Sequence, residues 1–84
     1  MFRVALIQNG SQLRKRESAE TLDDVRKFML REWDEEYSGL AWEYSGEALR
    51  AKGRPAVEEA LVALESKGYV LLGIGIAEVE AWAE

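Results

Sequence analysis

The chain has no cysteine and no histidine. The first absence removes disulfides, thiolate metal sites and thiol nucleophiles. The second removes the commonest general base and the commonest metal ligand. Any catalysis would rest on carboxylates, Lys, Tyr or Ser alone, so the expectation is a protein that is not an enzyme and needs no cofactor or metal. No apolar run approaches the ~18 residues of a membrane span. Met1-Phe2-Arg3 leading into a strand lacks the pattern of a secretory signal, so the expectation is a cytoplasmic protein with no membrane partner. Basic residues are the minority, 11 Lys and Arg against 16 Asp and Glu, for a net charge of −5. That balance counts against nucleic acid as a partner, because its binders normally present a basic surface.

What is present fits one folded domain, residues 1–84. At 84 residues the chain is large enough for a single core, and 48% apolar residues with 32% charged argue against disorder. Asn9-Gly10 stands between two strand-like runs, Phe2–Gln8 and Ser11–Ser18. Asn-Gly is the strongest short-range hairpin signal, since both central residues of a type I′ turn need φ > 0. With Asn9 and Gly10 as the two turn residues, Gln8 faces Ser11, Leu6 faces Leu13, Ala5 faces Arg14 and Arg3 faces Arg16. One face then carries Phe2, Val4, Leu6 and Leu13, and the other Arg3, Arg14 and Arg16.

Thr21 reads as the N-cap of a first helix from Leu22 to about Glu36, with Asp23 and Asp24 at the positive end of its dipole. Leu22, Val25, Met29 and Trp33 recur at helical spacing beside Phe28, while Asp23, Arg26, Lys27, Arg31 and Glu32 take the outer side. A single long helix from Leu13 to Trp33 is the competing reading. Next, Leu40, Trp42 and Tyr44 alternate with Ala41 and Glu43 as a half-buried strand, and Ala48–Arg50 offers a short return. Pro55 opens a second helix, with Val57, Leu61 and Leu64 on its buried stripe and Gly68 as its stop. Tyr69 is expected to fold back onto Leu64. The apolar run Tyr69–Ile76 reads as a strand buried on both faces and central in the sheet. Past it the apolar parity flips, which a bulge at Gly73 and Gly75 explains. Residues 77–84 continue as a strand or close as a helical turn.

Few motifs carry chemistry. Gly73-Ile74-Gly75 begins like a dinucleotide fingerprint, but no third glycine opens a helix after it. Asp34-Glu35-Glu36, as consecutive helical residues, diverge around the axis and do not converge on one cation. Arg14-Lys15-Arg16, with Arg3 opposite, is the one basic concentration. Such residues guard a sheet edge against pairing, or grip phosphates or a partner's carboxylates. Tyr37, Trp42 and Tyr44, with Trp33, form an aromatic set that serves a core by default and an interface where exposed.

Thr21-Leu22-Asp23-Asp24-Val25-Arg26-Lys27 resembles the capped start of the main helix of ubiquitin and its β-grasp relatives. Leu40 through Ser45-Gly46-Glu47-Ala48-Leu49, then Gly53-Arg54, is similar to that family's third strand, short hairpin and following loop. The resemblance implies a β-grasp-like, two-layer α+β domain: a β-hairpin, a helix, one or more short strands, a second helix and a central C-terminal strand. It implies a mixed sheet ordered hairpin-second, hairpin-first, C-terminal, third. The match has departures. The second strand offers only Leu13 inward before Lys15 and Glu17, and the stretch from Arg54 to Gly68 looks like a full helix. Glu80-Ala81-Trp82-Ala83-Glu84 contains no Gly-Gly, which argues against a modifier or sulfur carrier. The expectation is a small protein–protein interaction module, an accessory subunit or a regulator or inhibitor of a larger complex. Its partner is another protein, with self-association as a homodimer among the options, met through Arg3, Arg14, Lys15, Arg16, Tyr37, Trp42 and Tyr44. The alternative is a nucleic-acid binder using Arg3, Arg14 and Arg16.

Overall fold

A computed structural model describes residues 1–38 and 51–84. Strand β1 (Phe2–Gln8) and β2 (Gln12–Ala19) lead into helix α1 (Leu22–Ser38). Helix α2 (Gly53–Lys67) follows, then β3 (Tyr69–Ile74) and β4 (Ala77–Ala83). The four strands form one sheet in the order β2-β1-β4-β3, and every neighbouring pair is antiparallel. The architecture is α+β in two layers, with both helices on one face of the sheet. Among the described residues the sheet is antiparallel throughout rather than mixed.

Local chemistry explains the elements. Thr21 Oγ1 accepts from the Asp24 N–H at 3.2 Å, and the Asp24 carboxylate accepts from the Thr21 N–H at 3.3 Å. This reciprocal cap starts α1 at Leu22 and rules out one long helix from Leu13. Gly68 closes α2 at φ 77°, its N–H donating to the Leu64 carbonyl at 2.8 Å, a left-handed stop that glycine adopts freely. The core joins Val4, Ile74, Val79 and Ala81 of the sheet to Val25, Met29 and Trp33 of α1 and Val57, Leu61 and Leu64 of α2. Gly53 is buried where α2 begins: a Cβ there would stand 2.7 Å from Trp33 Cδ1.

Three expectations are corrected. The first hairpin turns through Asn9, Gly10 and Ser11, with Gln8 facing Gln12 and Ile7 facing Leu13. A bulge then skips Arg14, so that Leu6 faces Lys15, Ala5 faces Arg16 and Arg3 faces Ser18. One extra residue in the turn and one in the strand move Leu13 off the core face and Arg14 off the open one, while Lys15 keeps its inward side, opposite Leu6 rather than Val4. Second, Tyr69–Ile74 is an edge strand, and the central partner of β1 is Ala77–Ala83. Third, the parity flip comes from a two-residue turn, Gly75-Ile76, between β3 and β4. Gly75 sits at φ 61°, the positive φ that such turns require at their first central position. The expected strand at 40–44 and the return at 48–50 lie outside the described residues.

Candidate functional site

Among the described residues the sheet has one face packed on the helices and one face, the open face, that no other element covers, and the register assigns each strand residue to a side. Phe2, Val4 and Leu6 turn inward with Val79, Ala81, Val70 and Leu72. Arg3, Ala5 and Ile7 therefore turn outward, level with Trp82, Glu80 and Glu78 on β4 and with Ser18, Arg16 and Leu13 on β2. On β3, Tyr69, Leu71 and Gly73 complete the open face.

This face carries apolar surface that the fold does not use. Leu13 is 52% exposed, Tyr69 47% and Leu71 47%. A Cβ built at Gly73 would meet nothing within 4 Å. Ala5 is buried yet lies outside the core cluster, because the longer chains of its row, Arg16 on one side and Glu80 on the other, flank it. The charges divide by strand: Arg16 and Arg3 on β2 and β1, Glu78 and Glu80 on β4. Arg3 is ion-paired with Glu84. The Tyr69 hydroxyl donates to Glu80 at 3.2 Å. Desolvation, followed by the nearby carboxylates of Glu80 and Glu78, pushes the Tyr69 phenol above its ordinary range. Tyr69 thus belongs to the open face and does not fold back onto Leu64.

The opposite side of β2 is a polar seam. Lys15 Nζ donates to Glu32 Oε1 at 2.7 Å and also reaches Glu35 at 3.4 Å. Arg31 pairs with Glu17 at 3.1 Å, approaches Glu32 at 3.5 Å and stacks over the Phe28 ring at 5.2 Å. Glu32 is only 3% exposed, the one buried charged residue among those described. Its carboxylate, as hydrogen-bond acceptor, raises the Lys15 pKa above the ordinary lysine value. These pairs tie β2 to α1 and account for the charged inner side of the second strand. A cavity of about 360 Å³ opens beside them, lined by Arg14, Lys15, Glu32, Glu35 and Glu36 with Leu6 and Ile74 on its apolar wall.

The predicted site residues are therefore split. Arg3 and Arg16 share the open face; Arg14, as the bulge residue, lines the cavity on the helix side, and Lys15 is committed to Glu32. Tyr37 packs half-buried against the core, its ring centroid 5.1 Å from that of Trp33. Trp42 and Tyr44 lie outside the described residues. Sequence reasoning missed Tyr69, Leu71, Glu80 and Trp82 as residues of the same face as Arg3 and Arg16. The signal was Gly75: read as the first residue of a two-residue turn, it fixes the β3–β4 register and hence the open face. No group of acidic side chains among the described residues converges as a metal site. No known family model matches this chain, and no characterised protein or solved structure shows significant similarity to it.

Proposed function

We propose that this chain is a small, non-catalytic protein-binding module, an accessory subunit or a regulator or inhibitor of a larger complex, docking through the open face of its sheet. The observation that carries the reading is exposed apolar surface of Leu13, Tyr69 and Leu71 on one face that no other described element covers. Singly scattered exposed apolar side chains need no explanation; here Leu13 on one edge strand and Tyr69 and Leu71 on the other share a face with Ile7 and Trp82 of the strands between. Trp82 and Tyr69 supply the aromatic area, and Arg16 the guanidinium, that dominate binding hot spots. The proposal includes a cytoplasmic setting, no cofactor and a β-grasp-like kinship, with which a four-strand antiparallel sheet and two helices are compatible.

The nucleic-acid reading has thinner support. Arg3, Arg14 and Arg16 do not share a face, and the open face also presents Glu78 and Glu80. A titration with short RNA and DNA at two salt concentrations separates the readings, because phosphate binding weakens steeply with salt. The protein-binding reading is tested with Leu13→Glu/Leu71→Glu. Both positions are about half exposed, so circular dichroism and the melting temperature should stay close to wild type while partner capture from native lysate is lost. Capture that persists in the folded double variant refutes the open face as the docking site.

A further inference from the structure

We infer that the open face is self-complementary and that a second copy of this chain occupies it, stacked sheet to sheet about a two-fold axis running along the strands. The inference rests on the reading of the open face as a docking surface and names its partner.

Its basis is the order of charge across the sheet. In β2-β1-β4-β3 the outward cations, Arg16 and Arg3, lie on the first two strands, and the outward anions, Glu78 and Glu80, on the third. A two-fold along the strands exchanges left and right across the sheet and leaves height along the strands unchanged. It lays β2 over β3 of the second copy and β1 over β4, so that each basic half covers an acidic half. Arg16, Ala5, Glu80 and Leu71 form one row in the register. The operation therefore sets Arg16 above Leu71, one strand away from the partner's Glu80 and within reach of an arginine side chain. It sets Arg3 above Trp82, where a guanidinium meets an indole favourably. A two-fold perpendicular to the strands would stack β2 on β2 and bring Arg16 to Arg16. An isologous interface requires this self-complementarity, and the face offers it in one orientation.

Two further features favour this occupant. Arg16 makes no ion pair with the described residues, so its charge is available. Small residues on the face, Ala5 on the inner strand β1 and Gly73 on the edge strand β3, permit close approach, while Ile7, Leu13 and Leu71 supply apolar contact. Four strands at ~4.8 Å spacing and ~23 Å length give a footprint of roughly 440 Å² per copy. With side-chain relief this buries on the order of 1,000 Å² in total, the lower end of what specific interfaces use. The dimer should accordingly be of micromolar affinity and in exchange with monomer.

The test is sedimentation equilibrium of the full chain from low to high micromolar concentration, with two charge reversals, Arg16→Glu and Glu80→Arg. Wild type should pass from monomer to dimer over this range. Each variant alone should dimerise roughly tenfold or more weakly, since like charges then oppose each other across the interface. Their equimolar mixture should regain near-wild-type association as a one-to-one heterodimer, because both cross-pairs become opposite in charge. Leu71→Glu is a third variant with the same expected loss, should a charge reversal disturb folding by circular dichroism. A wild type that stays monomeric overturns the inference. So do single variants that dimerise as wild type, which would put the contact elsewhere, or a mixture that fails to associate. Should the wild type be monomeric while Leu13→Glu/Leu71→Glu abolishes capture of a different protein, the self-association fails and the docking reading stands.

Discussion

Replacing Lys15 by methionine tests the polar seam between β2 and α1. Glu32 is 3% exposed and Lys15 38% at the side chain, with their charged atoms 2.7 Å apart. Removing one partner of a fully buried pair costs about 3–5 kcal/mol, because the other charge is left desolvated; exposed pairs contribute about 0.2–1 kcal/mol. This pair is half of each kind, and Arg31 Nε remains 3.5 Å from Glu32. Discounted for that exposure and that second cation, Lys15→Met should cost about 2 kcal/mol. In a domain of this size that lowers the melting temperature by roughly 8–16 °C. Lys15→Met/Glu32→Leu should recover most of the loss, since neither charge then lacks a partner in the seam. Urea denaturation of the four members of the cycle at neutral pH measures the coupling. A Lys15→Met variant within ~0.5 kcal/mol of wild type, or a double variant no better than Lys15→Met, refutes the view that Glu32 depends on this lysine.

The same geometry fixes an alkaline limit and a packing limit. Lys15 and Tyr69 both have raised pKa values, the first mainly from the Glu32 hydrogen bond and the second mainly from desolvation. A raised folded-state pKa stabilises below the unfolded value and loses that contribution as pH rises through the folded one. Unfolding free energy should therefore decline above about pH 10, and the phenol absorbance of wild type minus Tyr69→Phe should titrate above the ordinary tyrosine value. A Tyr69 that titrates at or below that value refutes the desolvated placement of its phenol beside Glu80. Gly53→Ala inserts a Cβ 2.7–2.8 Å from the Trp33 indole and should cost about 1–3 kcal/mol by overpacking. Gly73→Ala, in open space, should lie within about 0.5 kcal/mol of wild type in the same urea assay.

Elements with local signatures were legible in the sequence. Thr21 with Asp24 capped α1, Gly68 stopped α2, and the Val57, Leu61 and Leu64 stripe gave the buried side of that helix. What escaped was register. A strand's side chains change face with every inserted residue, and the first hairpin contains two insertions, Ser11 in the turn and Arg14 in the bulge. Neither has a composition cue beside a strong Asn9-Gly10 signal. The C-terminal error has the same origin. An unbroken apolar run from Tyr69 to Ile76 looks central until Gly75 is read as a turn, after which Tyr69–Ile74 becomes an edge with an outward apolar side. The faces of the basic residues were partly legible: Arg3 and Arg16 were assigned together and Lys15 inward, as found, while Arg14 was assigned to the wrong face. The ion pairs of Lys15 and Glu17 with α1 depend on tertiary placement that strand periodicity does not carry.

The central claim is that the open face of the sheet is where this chain meets its partner and that a second copy fits it. The most direct measurement is a dilution series of amide and methyl NMR spectra over the micromolar range. Concentration-dependent shifts should map to Ala5, Ile7, Leu13, Arg16, Leu71, Glu80 and Trp82, with outward residues of α1 and α2 such as Lys27 and Val62 unchanged. Shifts confined to the helical layer, or spectra identical at all concentrations, would contradict it.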